Sequence, residues 1–155
     1  MELAQEDTQR GRYLTFALDR EFYGLDIACV TEIVGLQPIT QIPDAPDWLK
    51  GIINLRGRII PVIDMRTRLR KSPAAYDDRT CIVVVEIRGV PAGLIVDKIS
   101  EVIAIDEANI APPPGIAGSR GRLKAIGKVG GDVKLLLDCD SLLDGGELDG
   151  LRNLG

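Results

Sequence analysis

Histidine is absent from this 155-residue chain, and with it go the commonest general base, imidazole metal ligand and phosphoacceptor. Aromatic residues are only 4% of the sequence, too few for the stacking platforms of a nucleic-acid binder, and the net charge of −4 has the wrong sign for a phosphate backbone. The basic cluster Arg66–Lys71 reads as solvated surface. No apolar run approaches the roughly 18 residues that span a membrane, so direct membrane insertion is not expected. The opening M-E-L-A-Q-E-D-T-Q-R lacks a signal-peptide core. Cys29, Cys81 and Cys139 are odd in number and far apart, without C-x-x-C spacing. They are expected as buried, reduced thiols in a cytoplasmic protein. Seventeen glycines occur, yet G-x-x-x-x-G-K-[ST], G-x-G-x-x-G and G-x-S-x-G are all missing. Neither metal nor cofactor is implied.

What the chain does contain is a second copy of itself. Phe16–Val34 aligns with Val85–Ile103 at an offset of 69, matching Gly24 to Gly93, Leu25 to Leu94 and Glu32 to Glu101. Trp48–Leu69 aligns with Arg122–Leu143 at an offset of 74, so the second copy carries five extra residues between the matches. A unit of about 70 residues is marginal alone, and two should share an apolar interface. Residues 12–75 are expected to build one barrel and 79–143 another, with 1–11 and 145–155 as flexible tails and Lys71–Asp78 as the link.

Within the first copy, Tyr13–Leu18 and Glu21–Leu25 predict a hairpin about Asp19-Arg20. Three- and four-residue apolar spacing predicts a short helix over Ile27–Val34, capped by Asp26 and ended by Gly35. Trp48–Leu55 and Arg58–Asp64 flank the turn Arg56-Gly57, and Pro61 requires an edge or bulge. The second copy repeats this as Cys81–Ile87, Pro91–Val96, a helix or turn at Asp97–Val102, a Pro-rich loop at Ala111–Gly121, and a hairpin at Val129–Val133. Asp140–Leu143 begins a short terminal helix. Short strands and Gly-rich turns with little helix point to small closed barrels. The expected class is all-β, a pseudo-symmetric pair of five-stranded barrels packed together. The strongest catalytic reading pairs the carboxylates Asp26, Asp64 and Asp138. Asp64 and Asp138, however, are equivalent positions of the repeat, and a residue kept at one strand end in both copies is expected to cap backbone. Recognition, not catalysis, is the expected function.

The segment G-I-I-N-L-R-G-R-I-I-P-V-I-D (Gly51–Asp64) resembles the signature of the CheW family, the adaptors that couple bacterial chemoreceptors to the histidine kinase CheA. F-Y-G-L-D-I (Phe22–Ile27), V-T-E-I (Val30–Ile33) and G-L-I-V-D-K-I (Gly93–Ile99) support it. The likeness covers residues 13–143 in family order. It implies two SH3-like barrels and a non-catalytic scaffold. Such a scaffold binds the cytoplasmic tip of a chemoreceptor bundle in the groove between barrels, and the kinase regulatory domain through barrel loops. Carried over residue by residue, it implies receptor contacts at Val30, Glu32 and Arg56, and kinase contacts at Ala111 and Ile116. Family members carry a basic residue at the Ala111 position, so alanine departs from the pattern there. An adaptor of the same family serving a surface-motility pathway is the alternative reading.

Overall fold

The computed structural model describes residues 11–115 and 121–154. Among these, eleven strands run in chain order as β1 Arg12–Leu18, β2 Glu21–Asp26, β3 Val30–Gly35, β4 Leu49–Leu55, β5 Arg58–Asp64, β6 Cys81–Ile87, β7 Val90–Val96, β8 Lys98–Ala104, β9 Ile110–Ala111, β10 Leu123–Val129 and β11 Asp132–Leu137. A short helix α1, Met65–Arg68, follows β5, and a helix α2, Gly145–Leu151, follows β11.

The strands form a six-stranded sheet, β8-β1-β2-β11-β10-β9, and a five-stranded sheet, β3-β6-β7-β5-β4. The expected barrel boundary at the 71–78 link is not the one the ladders follow. The hairpin β1–β2 of the first copy lies among β8, β10 and β11 of the second, with β2 parallel to β11. The hairpin β6–β7 of the second copy lies among β3, β4 and β5 of the first, with β7 parallel to β5. Each copy therefore lends its leading hairpin to the other. Periodicity within a copy is blind to this exchange, because either partner satisfies the same strand pattern.

Gly24 and Gly93 recur because each sits in a lent hairpin under a side chain of the neighbouring strand. A Cβ on Gly24 would lie 2.8 Å from Leu136 Cδ2, and one on Gly93 would lie 2.7 Å from Ile82 Cγ2. Exchange also merges the apolar interior. One core cluster takes Leu14, Phe16 and Leu137 from the six-stranded sheet and Ile63, Val83 and Leu94 from the five-stranded one. Smaller clusters fill each sheet separately, around Ile53, Ile60 and Ile82 in one and Tyr13, Ile105 and Leu136 in the other.

The hairpin turns stand where expected. Pro61 occupies an interior strand, but the β5–β7 ladder begins only at Val62↔Gly93, so the missing N–H falls outside that ladder. Other expectations are corrected. Ile27–Val34 is not a helix: a 3-10 turn, Ile27–Cys29, capped by Asp26, leads into β3. Within the expected helix or turn at Asp97–Val102, Lys98–Val102 is likewise strand, as part of β8. In β3 the pairing shifts between Val30↔Val85 and Glu32↔Val84. This bulge at Thr31 adds a residue, so Val30 and Ile33 are registered with Val85 and Val83 of the same core cluster. The three-residue spacing that mimics a helical turn is the mark of a bulged strand. The equivalent irregularity in β8 interrupts its pairing with β1, and there the Thr15 hydroxyl donates to the Glu101 carbonyl at 2.7 Å.

Nor is the 145–155 tail loose over its described part. A reciprocal capping box between Asp144 and Glu147 starts α2, and Leu148 and Leu151 are buried in the main core. The cluster Arg66–Lys71 is not simply solvated either. Arg68 is buried, bonds Glu147 at 2.6 and 3.0 Å and the Leu142 carbonyl at 2.9 Å, and lies 4.5 Å over the Trp48 ring. Arg66 donates to Asp97 at 2.5 and 2.8 Å, and Asp97 also accepts from the Asp19 backbone at 2.7 Å. The Arg66 guanidinium holds the Asp97 carboxyl below its usual range.

Candidate functional site

The three carboxylates of the catalytic reading are engaged as caps. Asp26 accepts from Ala28 N at 3.0 Å and Asp138 from Asp140 N at 3.2 Å and Ser141 Oγ at 2.8 Å. Asp64 accepts from Thr67 N at 3.3 Å and from the Tyr76 hydroxyl at 2.8 Å, which fastens the link between copies. Among the described residues no cluster of metal-ligating side chains occurs.

Arg56 sits at the tip of the β4–β5 hairpin with φ of 52°, followed by Gly57 with φ of 87°. Two left-handed residues in a two-residue loop match the strand twist, and glycine or asparagine is the cheaper occupant. The Asn54 side chain braces the turn by accepting from Gly57 N at 2.8 Å. The cognate hairpin β10–β11 puts Gly130 in the same place, with φ of 61°. Arginine is thus not required by the turn and is disfavoured by its backbone. Its guanidinium bonds the Glu32 carboxylate, which raises its pKa. With side-chain exposures of 67% and 30%, such a pair adds little stability. An arginine that stabilises neither turn nor fold is placed for something else.

Glu32 reaches it because of the β3 bulge. Unbulged, Glu32 would follow Val30 onto the main-core face; the shift registers it with Val84 of the five-stranded sheet's own cluster. Beside it lies a groove of about 150 Å³ lined by Glu32, Arg56, Arg58, Ile60, Val84 and Pro91. The structure therefore unites Glu32 with Arg56 and sets Val30, half-buried against the main core, on the other face of β3. β3 is an edge strand, so a partner lying along it can touch both faces.

Ile33 and Val102 are 44% and 51% exposed and stand 69 residues apart, at equivalent positions of the two edge strands β3 and β8. Sequence reasoning missed them, because the helix assignment hid their edge placement; their recurrence at the repeat offset was the available signal. Ala111 lies on β9, paired with Ile126 of β10 at the end of the other sheet. Ile116 falls outside the described residues.

A CheW-like domain family model matches residues 12–147. The chain belongs to the CheW-like family. It is 34% identical over 144 residues to the chemotaxis protein CheW of Klebsiella aerogenes, covering 92% of this chain and 87% of that one. It is 34% identical over 147 residues to CheW of Treponema pallidum, covering 91% and 86%. The crystal structure of the scaffolding protein TtCheW from Thermoanaerobacter tengcongensis superposes with a TM-score of 0.82 at 40% identity, covering 88% of this chain and 96% of that one. The all-β architecture of two SH3-like barrels, expected from the sequence, is that of this CheW-like fold. Among the described residues no helix is long and apolar enough to cross a membrane.

Proposed function

We propose that this chain is a non-catalytic cytoplasmic adaptor that couples chemoreceptors to a CheA-type histidine kinase in a chemosensory array. Glu32 and Arg56, with Val30 on the adjoining face of β3, form the contact for the cytoplasmic tip of the receptor bundle. Ala111 and Ile116 lie in the contact for the kinase regulatory domain. The observation that carries the receptor assignment is Arg56 itself, held in a turn that favours glycine and aimed at Glu32 on an exposed edge strand. A coiled-coil tip offers apolar ridges flanked by charge, and an apolar edge with one fixed ion pair sets its register. Each contact need bury only about 1,200 Å² or less, because engaging receptor and kinase together raises the effective concentration of each. Membrane association comes through the receptor.

A three-component pull-down with a receptor-tip fragment and the kinase tests this. Arg56→Glu is expected to weaken receptor-tip binding about thirtyfold, the range of an interface hot spot, with kinase binding retained. Ile116→Ser is expected to weaken the kinase contact and spare the receptor. Unchanged receptor affinity in Arg56→Glu would overturn the receptor site; failure of the unmodified chain to retain either partner would overturn the adaptor reading.

A further inference from the structure

Cys29 and Cys139, 110 positions apart in sequence, converge on one residue. Cys29 ends the 3-10 turn that carries the chain from β2 of one sheet into β3 of the other. Its neighbour Val30 is paired with Val85 of β6, so antiparallel register sets Cys29 beside Glu86. Cys139 opens the 3-10 turn after β11, and its thiol donates to the Glu86 carbonyl at 3.7 Å. Both side chains belong to the same apolar cluster, Cys139 buried within it and Cys29 packed against it at partial exposure. Each thiol also shifts the ionisation of the other. Cys81 is excluded from the pair: it begins β6, five residues from Glu86 or about 17 Å at roughly 3.3 Å per residue, far beyond the reach of a disulfide.

We infer that Cys29 and Cys139 are a redox site, closing to a reversible disulfide that fastens the crossover between the two sheets to the turn after β11. The oxidant is a low-molecular-weight disulfide. The Cys29 thiolate attacks one of its sulfurs, forming a mixed disulfide and expelling one small thiolate. The Cys139 sulfur then attacks Cys29, forming the protein disulfide and expelling the second. Two protein thiols lose two electrons, the small disulfide gains them, and the two thiol protons pass to the departing thiolates. The order of attack follows from the surroundings. The neighbouring Cys139 thiol holds the Cys29 thiol below its ordinary pKa, although burial and the charges of Asp26 and Asp140 oppose it. The same contact, with burial, pushes Cys139 up. Cys29 is also the more exposed of the two, which suits it to meet the oxidant. In a reducing compartment a bond of this kind is transient and reports redox state.

The test treats the full chain with oxidised glutathione, then alkylates, digests and weighs the peptides. Expected are the loss of two of the three free thiols, a peptide joining Cys29 to Cys139, and full reversal by dithiothreitol. Cys81→Ser should give the same linked peptide, and Cys29→Ser should give none. Because the closed loop is long, the linked form should melt roughly 10 °C higher than the reduced one. Three thiols persisting after treatment, glutathione retained on Cys29 without a link, or a link involving Cys81 would each overturn the site. A linked form melting at or below the reduced protein would overturn the fastening role.

Discussion

Two arginine–glutamate pairs in this fold have opposite physical meanings, and one experiment separates them. Arg68 is 5% exposed and Glu147 23%. Arg68→Ala removes two charge-assisted bonds, the bond to the Leu142 carbonyl and the stacking on Trp48. Breaking a buried pair by deleting one partner costs about 3–5 kcal/mol. Glu147 retains access to water, which favours the lower end, so the expected loss is about 3 kcal/mol. For a chain of this length that is roughly 9 °C in melting temperature. Arg56→Ala removes a pair whose arginine is 67% exposed, and the urea midpoint should not move measurably. Equilibrium urea unfolding followed by far-ultraviolet circular dichroism is the assay. Trp48 fluorescence would be a poor probe, since the only tryptophan lies beneath Arg68 and its native signal should change with the mutation. Glu147→Gln in a double-mutant cycle with Arg68→Ala isolates the coupling. If Arg56→Ala lowers the midpoint as much as Arg68→Ala, the exposed pair is structural and the reasoning that assigns it to binding fails.

Asp97 titrates below its unfolded value of about 3.9, so its contribution is fully present above about pH 4 and is lost as pH falls through the folded pKa. Asp97→Asn should cost about 1.5 kcal/mol at neutral pH and flatten the acid limb of the stability curve; an unchanged slope in pH-dependent urea melts would refute this. Gly93→Ala drives a Cβ against the stiff β-branched Ile82 and should cost about 2 kcal/mol, whereas Gly24→Ala meets the movable end of Leu136 and should cost less. Equal losses in thermal melts would contradict that distinction. Fragments 1–75 and 76–155 should each lack cooperative unfolding alone and regain it when mixed, because each sheet needs a hairpin from the other half; an isolated fragment with its own sharp transition would exclude the hairpin exchange.

Much of the fold was legible because turns and strands carry local signals. Arg56-Gly57 and Gly130-Gly131 announce hairpins, and both stand where expected. The repeat announced two equivalent units. Partner choice was not legible, since pairing of β2 with β11 and β7 with β5 is set by the common core and not by any property of the strands alone. The bulge at Thr31 produced an apolar spacing identical to a helical turn, and only the ladder to β6 distinguishes them. For the candidate site, Arg56 was legible as an arginine where its cognate is glycine. Its link to Glu32, 24 residues away, needed the tertiary fold. The role of Arg68 was hidden because it sits in a run of basic residues that looks solvated.

The bulges also bear on why edge strands can serve as binding surfaces without aggregating. β3 and β8 each present one unpaired edge with an exposed apolar residue, Ile33 or Val102, a pattern that invites strand addition. An irregular pairing interrupts each strand just before that residue, which bends the edge and spoils the ladder an incoming strand would need. In β3 the same extra residue turns Glu32 away from the main core and toward Arg56. One irregularity thus blunts the edge against nonspecific pairing and sets the charge beside it. Removing Thr31 should separate the two: Glu32 would follow Val30 directly and stay registered with Val84, so the ion pair should persist, while the regularised edge should gain self-association detectable by analytical ultracentrifugation. A deletion variant that stays monomeric would show that the bulge does not protect the edge.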